Sequence, residues 1–393
     1  MKTNEKYKDV NNSSRRALHP APNGIRHGMV CVLLVAGLLA SATIARAGMG
    51  GAGGKRTVET MTVNLYIGGG INRVVALDPT DPDYLTKLVS TVTGVYYEIA
   101  ASQPDVRLGG VADAIVARMP DIVAVEEGTL LRNQSPGDLI VGGTRPATNV
   151  VFDYVQILVD ALDARGAHYT VVSTADEIDI EMPMFNLQTG TIDDARLTDR
   201  EAILVRTDLP RGQLRVANPQ NGHFTNVIVF PSIGLELTRG WCSVDVCARG
   251  QVFRYICVHL EEETAPQVQL LQAKELLCGP AKTFLPVLLC GDFNADPLHR
   301  DGSTAYNKFT GAGFRDAWAD THRRNPAGGL TWGHDELLAD PSVPFNRRID
   351  FVFYRGCGLM PIQSDVLDLW LGRNEPPLWA SDHAAVDAEF MLW

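Results

Sequence analysis

Cys290-Gly291-Asp292-Phe293-Asn294-Ala295-Asp296-Pro297 follows the apolar run Leu285–Leu289. A buried strand is expected to end there and to present a carboxylate and a carboxamide at its tip. That pair suits chemistry on a phosphate. Asp can hold or activate an attacking water, and Asn can donate hydrogen bonds to a phosphoryl oxygen. Asp and Asn also tolerate turn conformations, so the stretch alone reads equally well as a turn after a strand.

Other strand ends carry similar groups. Met61-Thr62-Val63-Asn64-Leu65 places one Asn in an apolar run, and Pro120-Asp121-Ile122-Val123-Ala124-Val125-Glu126-Glu127 ends in two carboxylates. Tyr255-Ile256-Cys257-Val258-His259-Leu260 delivers one His, and a lone His in such a run is more often structural. Arg347-Arg348-Ile349-Asp350-Phe351-Val352-Phe353 delivers one Asp, and Trp379-Ala380-Ser381-Asp382-His383 closes the series. An Asp–His pair fixes the imidazole tautomer and raises its basicity, and Asp350 with His383 could make one.

In this order the motifs resemble the endonuclease/exonuclease/phosphatase superfamily, which includes deoxyribonuclease I. The resemblance runs from about Thr57 to Trp393. Asn64-Leu65-Tyr66-Ile67-Gly68, the run Leu197–Arg206, Arg239-Gly240-Trp241 and Gly313-Phe314-Arg315-Asp316-Ala317-Trp318 are similar to a secreted bacterial branch of unsettled substrate. The resemblance implies an α/β fold: a four-layer α/β/β/α sandwich of two mixed β-sheets flanked by helices. It implies Glu127 as the principal metal ligand, with Asn64 and Asp382 beside the metal. His259 would contact the phosphate, Asp292 would orient the water, and Asn294 would assist on the phosphoryl group. Asp350 would orient His383 as general base. The implied cofactor is Mg²⁺, with Mn²⁺ or Ca²⁺ as substitutes. Mg²⁺ takes few carboxylates and keeps waters and phosphate oxygens, which suits so sparse an acidic set.

Many members carry Gln where this chain has Glu126. Side chains alternate along a strand, so Glu126 should point away from Glu127. Arg200 offers a planar fork for a phosphate; a salt bridge is the favoured alternative. Trp332 and His334, in the long loop Pro326–Pro344, fit either a substrate pocket or the cover of a sheet edge, and the cover is favoured.

The chain has 393 residues, 45% hydrophobic and 21% charged, which suits one large globular domain. Residues 1–47 read as a signal peptide: a basic stretch, the short apolar core Val30–Leu39, and Ala45-Arg46-Ala47 before Gly48. Residues 48–56 read as a Gly-rich tether and 57–393 as the catalytic domain. Secretion or periplasmic export is expected, with no transmembrane span in the mature chain; an uncleaved anchor is the lesser alternative.

The leader holds seven Lys/Arg and two Asp/Glu, and removing its +5 from the chain's −11 leaves −16. Duplex binding relies on Lys and Arg neutralising phosphates. So acidic a domain favours a small phosphodiester or phospholipid headgroup over nucleic acid, and no stable nucleic-acid complex is expected. A monomer is expected. The competing function is a catalytically inactive binding or surface protein on the same scaffold, although no motif residue is missing. Removing Cys31 leaves six cysteines, from which at most one or two disulfides are expected; Cys242 and Cys247, on opposite faces of one strand, should not pair.

The periodicity predicts helices at Asp83–Ala101, Leu108–Arg118, Val151–Arg165 and Ala265–Leu277. It predicts strands at Val58–Leu65, Ile122–Val125, His168–Thr174, Ala202–Arg206, Val227–Phe230, Trp241–Ala248, Phe253–His259, Val287–Cys290, Ile349–Tyr354 and Ala384–Leu392. Glu181–Asp194 is read as a hairpin or loop.

Overall fold

A computed structural model describes residues 56–210, 212–230, 235–300 and 302–393. The leader, and the tether apart from Arg56, lie outside the described residues. One sheet runs, edge to edge, through Leu359–Leu367, Ala385–Leu392, Thr57–Asn64, Ile122–Glu126, Ile192–Arg206, Leu130–Gln134 and Asn149–Asp153; Tyr169–Phe185 also pairs with Ile192–Arg206. The second runs through Arg315–Asp316, Asp350–Arg355, Val287–Asp292, Gln251–His259, Gly240–Ala248 and Leu214–His223. Each sheet is mixed. Thr57–Asn64 is parallel to Ile122–Glu126, and Gln251–His259 is parallel to Val287–Asp292, beside antiparallel neighbours.

Side-chain alternation sorts these strands into layers. Val58, Ile122, Ala124 and Ile203 meet Cys242, Val244, Cys257 and Cys290 between the sheets. The odd-numbered partners Met61, Val63, Val123 and Val125 face out to Ile99, Leu108, Val111 and Leu158 of the helices Tyr84–Ala101, Pro104–Arg118 and Tyr154–Asp163. Ile256, Leu289, Phe351 and Phe353 face out on the other side, to Leu276 and Phe309 of the helices Pro266–Cys278 and Ala305–Gly311. Three apolar cores between four layers make the expected α/β/β/α sandwich.

Several boundaries differ from the periodicity, each for a local reason. The second helix starts a turn early, with Pro104 in its first turn, where a missing N–H costs nothing. Val150, Val151 and Phe152 extend as a strand rather than opening a helix, and Asp153 then caps Tyr154–Asp163 by accepting from Gln156 N at 3.2 Å. Tyr169–Phe185 and Ile192–Arg206 form one long hairpin. The strands Leu214–His223 and Leu359–Leu367 escaped the reading. Both are sheet edges and carry Pro219 and Pro361, which suits an edge and conceals the alternation. All six cysteines in the described residues are free thiols. Among the described residues no helix is long and apolar enough to cross a membrane.

The outer face of the first sheet holds an acid pair with a measurable consequence. Burial and the neighbouring Glu59 push Asp387 up to about 8 from 3.8. Burial, then Glu389 and Asp121, push Glu59 up to about 7 from 4.5. Both folded-state values are raised, so the folded chain holds more protons than the unfolded one between these limits. That stability is complete below about pH 4 and is lost as pH climbs to about 8. The buried acids Glu126, Asp199 and Glu201 shift in the same direction, chiefly by burial. The thermal midpoint of metal-free protein is expected to fall from pH 5 to pH 8, with a shallower fall in Asp387→Asn. A midpoint that rises over that interval would contradict this.

Candidate active site

The register of the second sheet lines up three of the sequence-identified groups. His259 is paired with Asp292, and Asp292 with Asp350, at one end of three adjacent strands. Each lies two residues from an inter-sheet core residue (Cys257, Cys290, Val352), so all three side chains face the first sheet. Asn64 ends the facing strand with the same alternation. The polar groups therefore meet where the sandwich opens at that end.

The Gly-Asp-Phe-Asn turn has a separate task for each residue. Gly291 has φ +144, and a Cβ there would lie 1.9 Å from the Val258 carbonyl oxygen, so no larger residue fits. Phe293 is buried against Phe309 and Phe353. Asp292 Oδ1 accepts from Asn294 N at 2.8 Å, which closes the turn, and Asn294 takes φ +48. Asp292 Oδ2 accepts from Asn64 Nδ2 at 3.2 Å.

Asn64 Nδ2 also donates to Glu127 Oε1 at 3.0 Å, and Ile67 N donates to Glu127 Oε2 at 2.8 Å. Glu127 has φ +53, so the strand ends there. Glu126, one residue earlier, is buried between the sheets and accepts from Thr62 Oγ1 at 2.9 Å and from Cys257 Sγ at 3.3 Å. The two carboxylates serve different partners, as alternation requires.

His383 is 4% exposed, and its Nδ1 lies 3.1 and 3.0 Å from the two oxygens of Asp350. Its Nε2 is 3.8 Å from Asp292 and 4.0 Å from Asp382. Burial alone would lower the imidazole's pKa. Asp350, Asp382 and Asp292 outweigh it and hold the value well above the usual range. Asp292 is pushed up to about 8, first by burial and then by Asp350. Asp382 is pushed up to about 6, mainly by burial. Ser381 explains the first letter of Ser-Asp-His: its hydroxyl donates to the Asn64 carbonyl at 2.8 Å and accepts from His383 N at 3.0 Å.

His259 is different. Burial first, then Arg239 and His383, hold its pKa well below the usual value, so it is neutral. Arg239 Nη1 lies 3.0 Å from Nδ1. A guanidinium and an amide nitrogen only donate, and a neutral imidazole has one acceptor; the shorter, charged contact assigns that acceptor to Nδ1 and the proton to Nε2, so the Asn294 amide makes no hydrogen bond to the ring. Nε2 faces Asn294 Nδ2 at 3.2 Å and Asp292 Oδ2 at 3.5 Å. A neutral donor at that place can hold an anionic oxygen.

The structure places three side chains for which the sequence left two readings. Trp332 adjoins the site rather than only covering an edge, and its Nε1 donates to Asp382 Oδ2 at 3.2 Å. His334 is structural, stacked on Trp379 at 3.8 Å. Arg200 donates to the Gly128 carbonyl at 2.7 Å and to Asp153 at 2.5 Å, which braces the turn after Glu127.

Sequence reasoning missed two groups of residues. Arg107 is fully buried and ties the Asn64 strand to the segment before Asp382. It donates to the carbonyls of Leu65 at 2.7 Å, Ala380 at 3.0 Å and Tyr66 at 3.1 Å. Glu177, Asp199 and Glu201 surround Arg239 and His259. Asp199 and Glu201 had a legible signal: two acids on the same face as the core residues Ile203 and Val205.

A family model described as the endonuclease/exonuclease/phosphatase family matches residues 98–383, which hold every candidate site residue except Asn64. The chain belongs to that family. It is therefore a hydrolase of phosphoric esters. A solved endonuclease/exonuclease/phosphatase family protein from Leptotrichia buccalis is 14% identical, with 85% of this chain and 100% of that chain covered, at a TM-score of 0.51. That likeness shows a shared fold. A mannosyl-6-phosphatase from Bacteroides thetaiotaomicron is 16% identical over 85% of this chain and 100% of its own, with a TM-score of 0.48. D. rerio TDP2 complexed with single-strand DNA product is 16% identical over 85% and 98%, with a TM-score of 0.46. No curated protein matches the chain.

The family's divalent metal finds a fitting donor set here. Asp382 Oδ1 is buried and has no hydrogen-bond partner. Glu127, hydrogen-bonded to Asn64, lies close enough to Asp382 to help push its carboxyl up. Carboxylates outnumber cationic side chains around this point, and a hard cation with oxygen ligands offsets that excess.

Proposed function

We propose that this chain is an exported, divalent-metal-dependent phosphodiesterase whose general base is His383. The observation that carries the reading is the buried Asp350–His383 pair, set beside Asp292, Asn64 and Glu127. Glu127, Asn64 and Asp382 would hold Mg²⁺ or Mn²⁺. A bound divalent ion supplies charge stabilisation at the phosphoryl and leaving oxygens. Shared with the ion, the Asp382 carboxylate would also pull less on the His383 proton and favour the neutral imidazole that a base needs.

His383 Nε2 then takes a proton from water, and Asp350 holds the ring through Nδ1 and stabilises the imidazolium. Asp292 and Asn64 orient the water. His259 Nε2–H and Asn294 Nδ2 donate to phosphoryl oxygens. Export rests on the basic, apolar and Ala-x-Ala features of residues 1–47. The acidic balance favours a small diester over a long polyanion.

Purified protein with Mg²⁺ or Mn²⁺ is expected to hydrolyse bis-p-nitrophenyl phosphate faster than p-nitrophenyl phosphate. A strong preference for the monoester would replace this reading with a phosphomonoesterase.

A further inference from the structure

A cavity of about 370 Å³ opens beside the active site, within the roughly 300–1,000 Å³ range of small-molecule sites. The helix Tyr84–Ala101 forms one wall through Val92, Val95 and Ile99. The long hairpin forms the facing wall through Ile180, Met182 and Leu197. Phe230 and Leu237, from the short hairpin Ile228–Phe230 and Leu235–Leu237, close a third side.

Four polar lining residues cluster together: Asn72 with Glu262, and Arg239 with Glu261 and Glu262. Arg239 is the partition. It lines the cavity, and its Nη1 lies 3.0 Å from His259 Nδ1 on the active-site side. Its Nε is buried without a hydrogen-bond partner. Arg239 thus joins the polar end of an apolar chamber to His259.

We propose that this cavity takes the aliphatic chain of one ester arm of the substrate, so that the enzyme acts on phosphoesters bearing a lipid-like tail. The inference rests on the phosphoesterase reading for the phosphate end only. The walls formed by Val92, Val95, Ile99, Ile180, Met182 and Leu197 are aliphatic and offer nothing to a sugar or a base, and a net −11 chain gives a polyanion little to bind. Burial of successive methylenes is the available source of affinity. Ile180 and Leu197 are register partners across the hairpin, so a larger side chain at either fills the chamber from its wall.

The test compares decyl p-nitrophenyl phosphate with methyl p-nitrophenyl phosphate, below the micelle concentration, with Mn²⁺. The decyl ester is expected to show kcat/KM at least about 100-fold higher, well under the gain from burying the whole chain. Ile180→Trp and Leu197→Trp should each cut that preference at least tenfold and leave the methyl ester unchanged, which also reports that the variants fold. Calorimetry with decyl phosphate and methyl phosphate separates the two claims. Decyl-selective binding that the Trp variants abolish, without turnover of either ester, keeps the tail site and overturns the phosphoesterase reading. Chain-length independence in both assays, or a preference that both Trp variants retain, overturns the tail site.

Discussion

His383→Ala is expected to lower phosphodiester turnover by roughly 10³-fold, within the range that a positioned acid–base group contributes. The geometry assigns the loss to a single proton transfer. Nδ1 is held by both oxygens of Asp350 at 3.1 and 3.0 Å, and Nε2 is left facing Asp292 and Asp382. Asp350→Asn should cost about as much, because an amide can present its N–H to Nδ1 and favour the wrong tautomer. The two changes should not add, since both remove one function; the double variant is expected within a few-fold of either single variant. Steady-state rates at fixed Mn²⁺, with unchanged thermal midpoints, would check this. Full additivity would separate the two residues.

Arg107→Met is expected to destabilise the fold by about 3 kcal/mol or more, a fall of about 4 °C or more in thermal midpoint for a domain of this size. Arg107 is completely buried, and its fork serves the carbonyls of Leu65, Tyr66 and Ala380 and the Tyr154 hydroxyl. Met fills much of the volume but donates nothing, which leaves several buried acceptors unpaired. Tyr154 keeps its own hydrogen bond to the Ile67 carbonyl at 2.7 Å, so the loop after Asn64 is loosened but not freed. Differential scanning calorimetry measures the shift. An unchanged midpoint would mean that this buried cation is not what fastens the two halves of the site.

Most of the site was legible because each group stands at the end of an apolar strand. Period-2 alternation then tells which face it takes. His259, Asp292 and Asp350 become neighbours through strand register, which no local pattern encodes, and only the family resemblance placed them together. Arg107 was illegible for a related reason. Its spacing on a helix looks like any solvated charge, and its burial comes from two distant loops closing over it. The strands with Pro219 and Pro361 were hidden because edge strands need no clean alternation. The leader and most of the tether were read from composition alone and lie outside the described residues.

The central claim is metal-dependent attack of water on a phosphodiester with His383 as base. It is tested most directly by following bis-p-nitrophenyl phosphate with Mn²⁺, with EDTA, and with His383→Ala. The account predicts turnover that EDTA abolishes, that added Mn²⁺ restores, and that His383→Ala lacks. Turnover that survives both EDTA and the substitution would contradict it.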